Sequence, residues 1–242
     1  MGEMAASLAH QIRTPLASAM LYVSHLTQPV VETEQRQRIA EKIYSGLRHL
    51  EKLVNDMLVF TRGGTVGIEP ISVASLLQEV RNLAEATVLN GGCQLSVADE
   101  APGSVLHGNR EALIGALHNL ITNAIQACGQ GGTIHLQART TDTGMTELLV
   151  ADNGPGISTG IQERIFEPFF TTRTQGVGLG LAVVQACARA HNGNLSLQSQ
   201  LGQGSTFAIT LPTATDSTEP FIAELSMVSA ETECRPMNGN PS

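Results

Sequence analysis

The chain has 242 residues, 42% of them apolar, which predicts a globular protein of one or two domains with a sizeable core. Aromatic residues account for 3% and tryptophan is absent, so this core must be mainly aliphatic. The net charge of −8, without any run of Lys or Arg, argues against nucleic acid as a partner.

Cysteine usage and hydropathy exclude two further classes of protein. The four cysteines are scattered and form no Cys-x-x-Cys pair, so the sequence supports neither a zinc site nor a disulfide framework. We therefore expect a reduced, cytoplasmic compartment. No apolar run reaches the ~18 residues of a transmembrane helix, so we expect no membrane span in this chain.

Two apolar stripes of near-heptad period open the chain, over residues 8–26 and 39–57. Pro29 is expected to end the first helix, because the residue before a proline avoids the helical region, and Gly63-Gly64 the second. Two helices cannot enclose their own apolar stripes. We therefore expect this hairpin to pair with a second copy as a four-helix bundle, which makes the protein a homodimer.

A mixed pattern follows from residue 65 and predicts an α+β fold, with helices gathered on one face of a sheet. Helices are expected at 74–89, at 109–127 with Asn109 as the N-cap, and directly after the glycines near residue 180. The last 30 residues lack any sustained period and form a predicted disordered, acidic tail. Strands are expected at 69–73, 94–97, 133–138, 147–151, 194–199 and 205–211.

Two amides stand four residues apart in the predicted helix at 109–127. Asn119 and Asn123 share one face, next to the apolar residues that need the core, so both should lie at its edge. They are either solvated polar residues or a face that coordinates Mg²⁺, an ion that prefers oxygen ligands.

Two glycine clusters flank residues 165–173, at 154–156 and at 176–180. The second cluster leads straight into an apolar helix, so exposed amides sit at a helix N-terminus, where phosphate is favoured. Asp152 follows a buried strand just before the first cluster. It either starts a turn or accepts a hydrogen bond from a nucleotide base.

His10 lies on the first helix, offset by two residues from the apolar stripe, so it should point away from the core. Pro15 inside the same helix costs about 3 kcal/mol, a cost more easily understood at a functional site. A phosphate-accepting imidazole must be neutral, as most histidines with a pKa of ~6.5 are at pH 7.

Six stretches, in order, resemble the motifs of bacterial two-component sensor histidine kinases. The sequence of residues 169–173 is similar to that of the nitrogen-regulation branch of this family. The sequence around His10 is similar to that of the sensor kinases that control flagellar gene cascades. The resembling stretches are 10–16 (phospho-acceptor box), 119–124 (N box), 152–157, 176–181 and 202–206 (glycine boxes) and 166–170 (F box).

The resemblance implies a dimerisation and histidine-phosphotransfer hairpin over residues 1–64 and an α/β sandwich ATP-binding domain of the histidine kinase/Hsp90-like type over 65–212, followed by the tail at 213–242. It implies an ATP-dependent kinase, with ATP and Mg²⁺ as cofactors, that phosphorylates His10. The partner that then receives the phosphoryl group would be the receiver domain of a response regulator, on an aspartate.

The same resemblance assigns the site residues. Asp152 would bind the adenine amino group, with Asn123 as principal Mg²⁺ ligand and Asn119 assisting. Thr14 matches a position linked to dephosphorylation of the partner. Gly154 and Gly156 would shape the adenine pocket, and Phe166 and Phe169 would anchor the lid. The candidates for contacts with the phosphates are Gly176, Gly178 and Gly180 through their amides and Arg173 through its charge, and the further nucleotide-binding candidates are Ile157, Thr172 and Leu179.

Two positions depart from the family pattern. Gln11 stands where most relatives carry a carboxylate base, so autophosphorylation is either slower and uses another base, or Gln11 orients the ring by a hydrogen bond. Gln126 stands where many relatives carry a Lys that contacts phosphate.

Two other functions are compatible with the same motifs. One is an ATPase of the wider fold group, although Asn119 stands where such proteins place a water-activating Glu; the other is a degenerate module that only binds ATP. A sensor segment normally precedes such a hairpin. With His10 so near residue 1, the sequence is expected to be a fragment or an unusually minimal protein.

Overall fold

The computed structural model describes residues 2–27, 32–62, 67–173 and 177–214, and two long helices open it. They are α1 (Gly2–Leu26) and α2 (Thr33–Arg62), which pack against each other as the predicted hairpin. α1 continues without interruption through Pro15. The residues expected to end the two helices, Pro29 and Gly63-Gly64, lie outside the described ranges.

The hairpin buries only part of its apolar surface. Ala19 and Ile39 are buried, and the Lys42 ammonium lies 5.3 Å from the centre of the Tyr22 ring on the other helix. Leu16 is 45% exposed and Leu47 50% exposed, so part of each apolar stripe lies on the surface of the hairpin. None of the helices in the described ranges has both the length and the apolar character that a membrane crossing requires.

A five-stranded sheet with helices on one face forms the second part of the chain, so the predicted α+β class is confirmed. The elements are β1 (Glu69–Ser72), α3 (Val73–Asn90), β2 (Gln94–Glu100), β3 (Val105–Gly108), α4 (Arg110–Cys128), β4 (Thr133–Thr140), β5 (Met145–Asp152), α5 (Thr159–Gln162), a 3-10 turn (Arg164–Phe166), α6 (Gly180–Ala190), β6 (Asn194–Gln200) and β7 (Gly204–Pro212). The strand order of the five-stranded sheet is β2-β4-β5-β7-β6, and every neighbouring pair is antiparallel except β2 and β4.

Alternation along the strands explains why only one face is covered. Ile134 and Leu136 of β4 and Leu148 and Val150 of β5 are buried, whereas His135 between the first two is exposed. α3, α4 and α6 lie side by side on this apolar face, with α4 between the other two. α6 also contacts α2 of the hairpin. Burial of this one face confirms the expectation that the helices gather on one face of the sheet.

The strand β3 was not predicted, and it changes the edge of the domain. It pairs with β1 in a separate two-stranded antiparallel sheet, and its Leu106 is buried in the core. The fold also extends beyond the predicted end at residue 212. Thr213 bonds through its hydroxyl to Thr146 at 2.7 Å, and the Ala214 amide donates to the Val105 carbonyl at 2.7 Å. The remainder of the predicted tail lies outside the described residues.

The His191 side chain connects the end of α6 with the backbone at the N-terminus of α4. Asn109 caps α4 as predicted, since its side-chain oxygen accepts a hydrogen bond from the Ala112 amide at 2.7 Å. Buried His191 accepts a hydrogen bond at Nε2 from the Asn109 amide at 2.9 Å, so its proton resides on Nδ1 and is donated to the Cys187 carbonyl at 2.7 Å. Both helices thereby hold a fixed relative position.

Replacing Asn109 with Ala removes the cap but keeps the backbone amide that binds His191. We expect the free energy of unfolding to fall by about 1 kcal/mol, because one amide of the first turn loses its acceptor. Urea denaturation followed by circular dichroism measures the change. Asn109→Asp keeps an acceptor and serves as the control, and equal stability of the Ala variant and the parent would contradict the role of the cap.

Candidate nucleotide-binding site

A cavity of about 810 Å³ opens where α4, the end of β5 and the N-terminus of α6 meet. The lid segment, residues 165–173, forms the remaining wall. This volume is in the range of small-molecule sites. Among the described residues that line the cavity, Asp152 is the only acidic residue and Arg173 the only basic one.

Asp152 supplies a carboxylate to the cavity. It is the last residue of β5, and its Oδ1 accepts a hydrogen bond from the Gly154 amide at 2.9 Å. Burial raises the pKa of Asp152, and the amides of Gly154 and Ser205 partly offset this rise by stabilising the carboxylate. The second carboxylate oxygen can accept a hydrogen bond from a ligand.

Glycines allow the backbone to close around this carboxylate. Gly156 and Gly204 have φ angles of 70° and 86°, which other residues rarely adopt. A Cβ at Gly204 would overlap the Asp152 carbonyl oxygen, and one at Gly156 would overlap the Gln200 carbonyl oxygen. The turn after β5 and the turn between β6 and β7 therefore touch, and they form the deep end of the cavity.

Four polar side chains of α4 line the opposite wall at positions i, i+3, i+4 and i+7. They are Asn119, Thr122, Asn123 and Gln126, and the spacing puts all four on one face of the helix. Asn119 is 7% exposed, whereas Asn123 is half-buried and Gln126 is exposed at the cavity mouth. The stripe thus runs from the core to the solvent.

The lid segment is attached to the second glycine cluster by a strained residue. Phe169 has a φ of 68°, in the left-handed region, and its amide donates to the Gly178 carbonyl at 2.9 Å. Gly178 itself has a φ of 71°, and a Cβ there would lie 2.5 Å from the carbonyl carbon of Phe169. Only glycine permits this contact, which holds the lid segment beside the N-terminus of α6.

The first turn of α6 presents its amides to the cavity. Leu179 occupies the N-cap position, and no side chain caps the helix there. Gly178, Leu179 and Gly180 all line the cavity, so the unpaired amides of this turn face the space where an anion would be favoured.

Two family models match the chain. Residues 1–65 match the His Kinase A (phospho-acceptor) domain, and residues 108–215 match the ATPase of histidine kinase-, DNA gyrase B- and HSP90-like proteins. The sensor protein kinase FleS of Pseudomonas aeruginosa is 46% identical over 214 residues, which cover 88% of this chain and 52% of FleS. The chain belongs to the histidine kinase family.

Solved structures, the histidine kinase ThkA among them, share its fold. Full-length ShkA in complex with AMPPNP is 32% identical, with a TM-score of 0.67 over 88% of this chain and 46% of ShkA. ThkA in complex with the response regulator protein TrrA is 24% identical, with a TM-score of 0.71 over 88% of this chain and 62% of that structure, a likeness of fold alone. The chain spans about half the length of FleS and of ShkA.

Most of the residues that the kinase motifs single out line the cavity. Gly154 and Phe169 are not among the residues that line it; each bonds through its amide to one that does. Gly176 lies outside the described residues, as do the side chains of His10 and Gln11 in α1, whereas Thr14 is exposed. Those lining the cavity are Asn119, Asn123, Asp152, Gly156, Ile157, Thr172, Arg173, Gly178, Leu179 and Gly180.

Apart from Phe170 of the F box, the motifs did not reveal this apolar wall of the cavity. Ile161, Ile165, Phe170, Leu201 and Phe207 line it, and they come from four separate parts of the chain. Phe170, rather than Phe169, faces the cavity, and the Arg164 guanidinium lies 4.4 Å from the centre of its ring. No local spacing connects these residues, so only the folded chain brings them together.

Burial of Asp152 predicts a distinctive pH dependence for Asp152→Asn. Because the folded state raises the pKa of this carboxyl above its ordinary value of 3.8, ionisation destabilises the fold as the pH rises through that window. The Asn variant should therefore resist urea better than the parent at pH 7, and the difference should vanish well below pH 3.8. An Asn variant that is less stable at pH 7 would contradict the burial cost. Glu85→Gln, which removes an exposed carboxylate of α3, is the control for loss of a carboxylate.

Proposed function

We propose that this chain is an ATP-dependent protein-histidine kinase that phosphorylates His10 and passes the phosphoryl group to an aspartate on the receiver domain of a response regulator. One observation carries the proposal: a half-buried carboxylate, an amide pair and an uncapped helix N-terminus face a single cavity. The match to the phospho-acceptor domain supports an acceptor histidine in the same chain. Residues 1–64 would form the acceptor hairpin and 65–212 the ATP-binding domain.

In the proposed complex, the adenine of ATP lies at the deep end of the cavity. Its amino group donates a hydrogen bond to the Asp152 carboxylate, and its ring packs against the apolar wall. The phosphates then reach the first turn of α6, where the amides of Gly178 and Gly180 face them. The relative ShkA, whose structure contains AMPPNP, supports a nucleotide in this cavity.

The amide pair on α4 fits the Mg²⁺ that accompanies ATP. Carboxamide oxygens are hard ligands, and Mg²⁺ is usually held through few protein groups and the phosphates. Asn123 Oδ1 already accepts a hydrogen bond from a cation, the Arg173 guanidinium, at 3.4 Å, so this oxygen is directed at a place where positive charge is stable. Asn123 and Asn119 would hold the ion, which would neutralise charge on the phosphates.

The proposed transfer forms a bond between the γ-phosphorus of ATP and a neutral imidazole nitrogen of His10. The bond from that phosphorus to the β–γ bridging oxygen breaks, and ADP leaves with the electron pair. The proton on the other ring nitrogen is lost to water, because Gln11 cannot accept it and instead orients the ring through its carboxamide oxygen. The residues of the cavity thus contribute positioning and charge neutralisation, which dominate phosphoryl transfer.

An ATPase without histidine phosphorylation is the competing function. Such an enzyme needs a carboxylate to activate water, and among the described lining residues Asp152 is the only one. Its Oδ1 is bonded to the Gly154 amide at the deep end of the cavity, away from the first turn of α6. This geometry favours the kinase. The phosphatase activity suggested by Thr14, which is exposed on α1, belongs to the same proposal.

Labelling with γ-labelled ATP and Mg²⁺ tests the kinase directly. We expect acid-labile, alkali-stable label on the parent chain, none on His10→Ala, and unchanged label on His25→Ala, an exposed histidine of the same helix. Asp152→Asn and Asn123→Ala should lose the label because nucleotide or metal is lost. Steady phosphate release without label would favour the ATPase, and nucleotide binding with neither outcome would favour a module that only binds ATP.

The exposed apolar stripe of the hairpin predicts a dimer. Leu16 is 45% exposed and Leu47 50% exposed, and a second hairpin would cover both in a four-helix bundle. Light scattering should give the mass of a dimer for the parent and of a monomer for Leu16→Asp/Leu47→Asp, because two buried carboxylates per subunit would be unpaired. Ser18→Asp/Gln37→Asp adds the same charge at exposed polar positions and should remain dimeric. A monomeric parent would contradict the bundle.

A further inference from the structure

Arg173 reaches from the lid segment to α4 and contacts the end of its polar stripe. Its Nη1 donates to the Gln126 carboxamide oxygen and, at 3.4 Å, to Asn123 Oδ1. Its Nη2 donates to the Asn123 backbone carbonyl at 3.3 Å. The lid segment and α4 are therefore joined by one guanidinium at the mouth of the cavity.

All three acceptors of this guanidinium are neutral. Arg110 and Arg139, in contrast, each lie 2.7 Å from a carboxylate oxygen. A guanidinium held by neutral oxygens gains more from turning to an anion than one already paired with a carboxylate. Arg173 is thus the cation of the cavity that is available to a phosphate.

The position of Gln126 follows from the register of α4. It stands three residues after Asn123 and seven after Asn119, so it completes the stripe at the solvent end of the helix. Its carboxamide oxygen can fix the direction of the guanidinium without neutralising its charge. A carboxylate at this place would hold Arg173 more tightly and would also compete with a bound anion.

We propose that Gln126 is a positioning residue, which holds Arg173 beside Asn123 and directs its charge toward the phosphates of the nucleotide. The inference rests on the proposed function, because it takes the cavity to bind ATP with its phosphates between α4 and α6. When the nucleotide binds, Arg173 exchanges its neutral acceptors for phosphate oxygens. Asn123 Oδ1 then loses its hydrogen bond from Arg173 and becomes free to coordinate another cation.

The test compares the affinities of each variant for ATP and for adenosine, measured by displacement of a fluorescent adenine nucleotide with Mg²⁺ and with a chelator. Arg173→Ala should weaken ATP binding about tenfold, because a charge-assisted contact is lost. Gln126→Ala should weaken it about threefold, as expected for one neutral hydrogen bond. Adenosine, which has no phosphate, should bind all of these variants like the parent.

A double mutant separates positioning from mere packing. In the Arg173→Ala background, Gln126→Ala should cause no further loss, because the residue acts only through Arg173. Gln126→Glu should weaken ATP binding more than Gln126→Ala and leave adenosine binding unchanged, since its carboxylate pairs with Arg173. Gln126→Lys should restore ATP binding to the Arg173→Ala chain, because it returns a cation to the cavity mouth.

Matched controls remove the same side chains elsewhere. Gln78→Ala removes an exposed helical Gln that bonds to Asn82 on α3, and Arg139→Ala removes an Arg on the open face of the sheet. Both should bind ATP like the parent. A loss in Gln126→Ala that persists without Arg173, or that affects adenosine equally, would overturn the proposal. If the parent binds no ATP, both the proposed function and this inference fail. If ATP binds and its binding depends on Asp152, but the effects of Gln126 and Arg173 are independent of each other, only this inference is overturned.

Discussion

The packing of α4 on the sheet is the constraint on which the cavity depends. Leu113, Leu117, Leu120 and Ile121 are all buried against the strands or the neighbouring helices, and this fixes the rotation of the helix about its axis. The polar stripe that begins at Asn119 must then face the space between α4 and α6. A rotation of one residue would bury the amides in the sheet and expose leucine, which would cost several kcal/mol.

The cavity contains little fixed charge, and this suits a ligand that brings its own. Among the lining residues that the structure describes, one carboxylate lies at the deep end and one guanidinium at the mouth, with amides and glycines between them. Two glycines near Asp152 and one beside Phe169 allow backbone contacts that a Cβ would prevent. The backbone therefore supplies much of the site, and the few charged side chains determine which end of a ligand goes where.

The hairpin and the α+β domain differ in how completely they bury their apolar side chains. The domain covers its sheet with its own three helices, so its core is complete within one chain. The hairpin leaves leucine and methionine exposed, and it needs a further surface. In this structure α2 contacts α6, the helix whose first turn faces the cavity, so the proposed acceptor hairpin lies against an element of the proposed donor site.

Local sequence determined the long helices, most strands, the cap at Asn109 and the kinase motifs, because each depends on spacing or on residues within one turn. The short strand β3 and the added bonds of Thr213 could not be predicted, since their partners, β1 and Thr146, are distant in sequence. The motifs also placed Arg173 and Gln126 in the site as separate residues. Only the tertiary structure joined them, because the hydrogen bond from Arg173 to Gln126 forms only when the fold brings the lid segment next to the end of α4.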